Sequence, residues 1–112
     1  MKKIEAIIRK SKFHEVTKAL HDIEVNFFSY WDVTGEGNEK QGHVYRGISY
    51  STTDIQRRYL VIVVSDSFLE RTIETLLNSA ATGNVGDGKI FVSDVIEAYR
   101  ISTKESVSAG IN

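Results

Sequence analysis

RYLVIVV, residues 58–64, is the most apolar strand-length run in the chain, rich in β-branched side chains and with no turn residue inside it. Such a run reads as a strand buried within a sheet. What stands on either side of it decides the fold. Upstream, residues 25–33 follow a period of two, with Val25, Phe27, Trp31 and Val33 on one face and Phe28 and Tyr30 on the other. Before that, Phe13, Val16, Leu20 and Ile23 recur at three- and four-residue spacing, one face of a helix, with Ser11 placed to cap it. Ile4 to Ile8 opens the chain as a further strand, Ile4, Ala6 and Ile8 facing one way.

Downstream, residues 65–80 carry a second helical stripe of Leu69, Ile73, Leu76 and Leu77, and Ser67 with Glu70 has capping-box spacing. Lys89 to Ala98 then reads as the last strand, with Ile90, Val92 and Ile96 opposite Phe91 and Val95. The order is strand, helix, strand, strand, helix, strand. Right-handed crossovers fold that order into an α+β, ferredoxin-like β-α-β-β-α-β sandwich with both helices on one sheet face. The other face, carrying apolar residues, is left for a second copy of the chain to cover. Residues 35–54 hold four glycines among polar residues and no sustained period, the mark of a long loop with a task of its own. The segment after Arg100 is polar and reads as a tail.

The totals narrow the function classes. The 112 residues suit one domain, the 41% hydrophobic content suits a globular one, and there is no cysteine for a disulfide or a thiolate metal site. A net charge of -1 gives no basic field for nucleic acid. No window has the run of about 20 apolar residues that a membrane span needs, and Glu5 and Arg9 interrupt the start in a way no signal peptide does, so a cytoplasmic protein is expected. Catalytic patterns are weak: GISYS at 47–51 is no nucleophile elbow. His14 and His21 stand seven helical residues apart, too far to share a metal. His43, with Glu36 and Glu39 nearby, is the one conceivable metal contact. Tyr45, Arg46 and Tyr50 are large side chains in the long loop, serving either as anchors or as a docking or modification surface.

TGNVGDGKIFV at 82–92 is the densest glycine stretch. Gly83, Gly86 and Gly88 let successive N–H groups converge on an anion, and Lys89 adds a charge beside them. The pattern is neither a Walker A nor a dinucleotide fingerprint, since Ile90 follows the lysine and a strand follows the glycines. On pattern alone it is either a phosphate cradle or a plain connection. The Arg9, Lys10 and Lys12 group and Arg57-Arg58 read as solvated surface.

Taken together, MKKIEAII at the start, GHVYRGISY at 42–50, TGNVGDGKIFV at 82–92 and YRIST at 99–103 resemble the PII nitrogen-regulatory signal proteins over essentially the whole chain. The resemblance implies a non-enzymatic homotrimer with nucleotide clefts between neighbours, where ATP and ADP compete and 2-oxoglutarate joins Mg2+-ATP. It implies a mobile T-loop, about residues 36–54, that docks on ammonium transporters or nitrogen-metabolism enzymes. Gly86, Asp87, Gly88 and Lys89 would hold phosphates with help from Arg100, while Ile7, Gly35, Gly37, Asn38 and Val63 would line the cleft. Asn26 and Ser29 stand where the family usually carries threonines near the adenine. Arg57 and Gln41 would meet 2-oxoglutarate, and Tyr50 matches a tyrosine that some members carry in uridylylated form. Asn38 and Ser102 replace basic residues of the family pattern. The loss of two charge-assisted bonds, about 1.5–3 kcal/mol each, implies a triphosphate affinity lower by an order of magnitude or more. Two other readings are a related sensor of another metabolite that prefers ADP or AMP, and a small phosphate-ester enzyme on this versatile fold.

Overall fold

A computed structural model describes residues 1–38, 44–45, 48–49 and 52–107. Strand β1 (Lys2–Arg9) leads through a single 3-10 turn into helix α1 (Phe13–Asp22), and strand β2 (Ser29–Asn38) follows. Two short strands, β3 (Val44–Tyr45) and β4 (Ile48–Ser49), pair with each other, and β5 (Thr52–Val64) returns to the main sheet. Helix α2 (Leu69–Ala80) and strand β6 (Gly88–Asp94) complete the order. The sheet runs β2-β5-β1-β6, every neighbour antiparallel. This is the expected ferredoxin-like arrangement, and RYLVIVV lies inside it, flanked on both edges.

Period-two patterning sorts the two sheet faces. Ile4, Ala6 and Ile8 of β1 with Leu60, Ile62 and Val64 of β5 are buried under the helices. Val16 and Leu20 of α1 and Leu76 of α2 meet them from above. Each such Leu or Ile contributes about 1.5–3 kcal/mol by leaving water. The α2 stripe differs from the expected one. Thr72, Leu76 and Ala80 are its buried residues, whereas Leu77 is exposed. Thr72 tolerates burial because its hydroxyl donates to the Phe68 carbonyl at 2.7 Å.

Helix starts and strand limits also depart from the sequence reading. Neither helix has a side-chain cap at its N-terminus. Ser11 lies inside the 3-10 turn Lys10–Lys12, and Ser67 lies inside another at Asp66–Phe68, its hydroxyl spent on that of Ser65. The 3-10 turns supply the entry geometry that caps otherwise would. Residues 25–28 are not strand. Helix α1 ends instead in a left-handed Glu24, with Glu24 N–H donating to the His21 carbonyl and Val25 N–H to that of Leu20. That six-to-one and five-to-two pair is a Schellman closure. It turns Val25 into the core, so the alternation counted from Val25 breaks before Trp31 and Val33.

Strands β2 and β5 extend beyond the expected limits, paired from Ser29 with Val61 out to Asn38 with Thr52. Gly35 thus lies in a ribbon rather than in a loop. No apolar period marked that ribbon because Thr34, Gly35 and Glu36 are exposed. In the other direction β6 stops at Asp94, and Ile96, expected within the strand on one side with Ile90 and Val92, lies beyond it and is 92% exposed. The segment after Arg100, expected as tail, closes back on the residues before it. Val107 N–H donates to the Ala98 carbonyl and Arg100 N–H to that of Glu105, and Tyr99 bridges Ser106.

Candidate functional site

The sheet face away from the helices carries aligned rows of side chains, set by the register. Ser29, Val61, Glu5 and Phe91 form one row, and Trp31, Tyr59, Ile7 and Lys89 the next. Val33, Arg57 and Arg9 form a third row at the end where the glycine stretch enters β6. Trp31 stacks on Tyr59 with ring centroids 4.7 Å apart and planes within 14°. The Tyr59 hydroxyl donates to Glu5, and that bond raises the phenol's pKa above its usual value.

Residues 82–88 at this end form a loop built around its own carboxylate. Asp87 accepts from Thr82 N–H at 2.7 Å, from Gly83 N–H at 3.0 Å, from the Thr82 hydroxyl, and from Arg9 Nε at 2.9 Å. The Thr82 hydroxyl and amide, then Arg9, hold the carboxyl well below the usual carboxylate range. Asn84 N–H in turn donates to Thr82 Oγ1 at 3.2 Å. The amides that converge at this end are those of Thr82 and Gly83, and the carboxylate they meet is that of Asp87. On the carbonyl side, an Arg9 terminal nitrogen donates to the Val85 oxygen at 2.9 Å and Arg57 to the Gly86 oxygen at 3.0 Å.

Gly83, Gly86 and Gly88 have φ of 85°, 96° and 116°, the left-handed region that disfavours any side chain. Gly88 has a second reason: a Cβ there would lie 1.8 Å from the Ile7 carbonyl oxygen across the β1–β6 pair. Lys89, the next residue, is exposed, and it forms no ion pair with the described residues. A cavity of about 420 Å³ adjoins this loop, walled by Ile73, Leu77, Ile90 and Val92 and closed at one end by Asp87, Gly88 and Lys89.

The residues singled out from the sequence fall into two groups. Ile7, Gly86, Asp87, Gly88 and Lys89 meet at the loop end, with Arg57 against the loop and Gly35 two residues beyond Val33 on β2. Asn26, Ser29 and Val63 lie toward the opposite end. Val63 and Arg57 are six residues apart on one strand, about 20 Å. Arg100 is exposed in the closed turn after β6, and Ser102 is exposed in the same turn. Gly37 and Asn38 belong to the β2–β5 ribbon by backbone pairing. Gln41, Tyr50, Arg46 and His43 lie outside the described residues, as do most of residues 39–51. Among the described residues no three His, Cys, Asp or Glu side chains cluster in a way that would hold a metal ion. No helix among them is long and apolar enough to cross a membrane.

Sequence reasoning missed Arg9, read as solvated surface, although it makes two of the bonds that shape the loop. The available signal was its position at the end of β1, one residue past the period-two run, on the face opposite Ile4, Ala6 and Ile8.

Compared with known proteins, the chain matches the family model described as nitrogen regulatory protein P-II across residues 1–105. It is 43% identical to the nitrogen regulatory protein P-II of Azospirillum brasilense over 107 residues, 94% of this chain and 95% of the relative. It is also 43% identical to nitrogen regulatory protein P-II 1 of Methanothermobacter thermautotrophicus over 106 residues, covering 94% and 92%. With nitrogen regulatory protein P-II 1 of Escherichia coli it shares 39% identity over 113 aligned positions, covering 99% and 100%.

Proposed function

The chain belongs to the nitrogen regulatory protein P-II family, and from that premise we propose that it is a nucleotide-responsive regulator without enzymatic activity. It works as a homotrimer in the cytoplasm. ATP and ADP compete for clefts between neighbouring copies, and the T-loop, about residues 36–54, presents the bound state to ammonium transporters or nitrogen-metabolism enzymes.

The observation that carries this reading is the loop at residues 82–88. Its three left-handed glycines, its carbonyls tied back by Arg9 and Arg57, and Lys89 beside it, which forms no ion pair with the described residues, leave a surface suited to phosphate. Gly35 supports it from β2, because an added Cβ there would touch nothing within 4 Å in this chain. Packing within this chain does not require that glycine, and close approach of a ligand or a second chain would explain it. The separation of about 20 Å along β5 between Val63 and Arg57, which touches the loop, favours a cleft shared by two copies, one giving the phosphate loop and the other Asn26, Ser29 and Val63. Asp87 spends its oxygens on Thr82, Gly83 and Arg9, so any Mg2+ would be held chiefly by phosphate oxygens, and Mg2+ commonly binds that way. A partner can be switched only if the nucleotide binds two conformers of the presented segment with different affinity.

Calorimetry with ATP, ADP and AMP, each with and without Mg2+ and 2-oxoglutarate, tests this. Adenine nucleotide binding is expected, and Lys89→Ala should weaken ATP tenfold or more, the loss of one charge-assisted bond. Unchanged affinity in that variant would remove the phosphate role. Asn38 and Ser102 are uncharged where the family pattern carries cations, which makes a preference for ADP over ATP the second outcome of interest.

A further inference from the structure

Arg9 binds the loop at both its carboxylate and its backbone. It stands beside Arg57 in register on the neighbouring strand, and its guanidinium reaches Asp87 Oδ1 and the Val85 carbonyl oxygen, each at 2.9 Å. Only 22% of the Arg9 side chain and 23% of that of Asp87 remain exposed. An isolated surface ion pair would contribute little. Here one planar fork holds two acceptors of a single loop, which a point-charge contact does not reproduce.

We propose that Arg9 is a positioning residue that pre-forms the 82–88 loop for anion binding without touching the anion. The loop contains three glycines in the left-handed region, so its ordering costs more backbone entropy than that of a loop of ordinary residues. Its acceptors at Val85, Gly86 and Asp87 would each repel an approaching phosphate if they turned toward it. Arg9 holds the first and the third of these, and Arg57 holds the second. Asp87 in turn gathers the Thr82 and Gly83 amides. Arg9 thus acts through Asp87, and the ordering entropy is met before the ligand arrives rather than on binding.

The role in affinity rests on the nucleotide reading above, so the test has two readouts. Amide hydrogen exchange of Thr82 and Gly83 in the full-length unliganded protein should quicken tenfold or more in Arg9→Gln. ATP affinity by calorimetry should fall about tenfold in Arg9→Gln, in line with one charge-assisted bond, while the same substitution in an Asp87→Asn background should change it less than twofold. Equal losses in both backgrounds would mean that Arg9 does not act through Asp87, which overturns the proposal. So would unaltered exchange in Arg9→Gln. If the unaltered protein binds no nucleotide, the functional reading fails, and the exchange measurement still decides whether Arg9 sets the loop.

Discussion

Gly83 and Gly88 look alike in the sequence, and the structure makes them unequal. Both have positive φ, but a Cβ at Gly83 meets nothing within 4 Å, whereas at Gly88 it collides with the Ile7 backbone. Gly83→Ala should therefore cost only the left-handed penalty, about 1 kcal/mol. Gly88→Ala adds overpacking against a strand that cannot yield cheaply, for a total of about 3 kcal/mol or more. Urea unfolding of the two variants checks the order, and equal midpoints would contradict the close approach at Ile7. Glycine density in TGNVGDGKIFV was legible from the chain alone. Which glycine is irreplaceable was not, because the obstacle comes from a residue more than eighty positions away. The same holds for Arg9, whose partners are brought to it only by the β1–β6 pairing.

At the scale of elements, long apolar periods transferred well and termini did not. Phe13, Val16, Leu20 and Ile23 all lie in or against the core as their spacing indicated. The helix starts were misread because Ser11 and Ser67 fit a capping pattern that the 3-10 turns supersede. The loop before β6 is where an element's chemistry can be titrated. Asp87 has its pKa depressed in the folded state by the Thr82 hydroxyl and amide and by Arg9, below the unfolded value near 3.9. A depressed carboxylate contributes stability that is fully present above its unfolded pKa and is lost as pH falls toward the folded one. Asp87→Asn should therefore be less stable than the unaltered protein at pH 7, with the gap closing as pH drops below about 4. Unfolding midpoints at pH 7, 5 and 3 measure it, and a gap independent of pH would show that the carboxylate's charge is not what the loop uses.

At the scale of the molecule, the strand order alone left one sheet face uncovered, and the structure shows what that face carries. Val61, Tyr59, Ile7, Trp31 and Phe91 share it with Glu5, Lys3 and Arg57. Phe91 is 51% exposed and Trp31 47%, more apolar ring surface than a solitary domain of this size needs to show to water. Which copies cover it is a property of the assembly, and one chain's sequence holds only the patch. Phe91 suits a test because its side chain is half exposed in a single chain while it ends the row that runs through Val61 and Glu5. Phe91→Glu would set a second carboxylate opposite Glu5, and if copies meet on this face both would be enclosed there, where an unpaired charge is costly. Light scattering should give about three times 12.6 kDa for the unaltered protein and a lower mass for Phe91→Glu, with the far-ultraviolet circular dichroism unchanged. Trp31, the single tryptophan, reports the same event from the next row: its emission should shift to the red as the face opens to water. A variant that keeps the trimer mass and the unshifted emission would place the contact between copies somewhere other than this face.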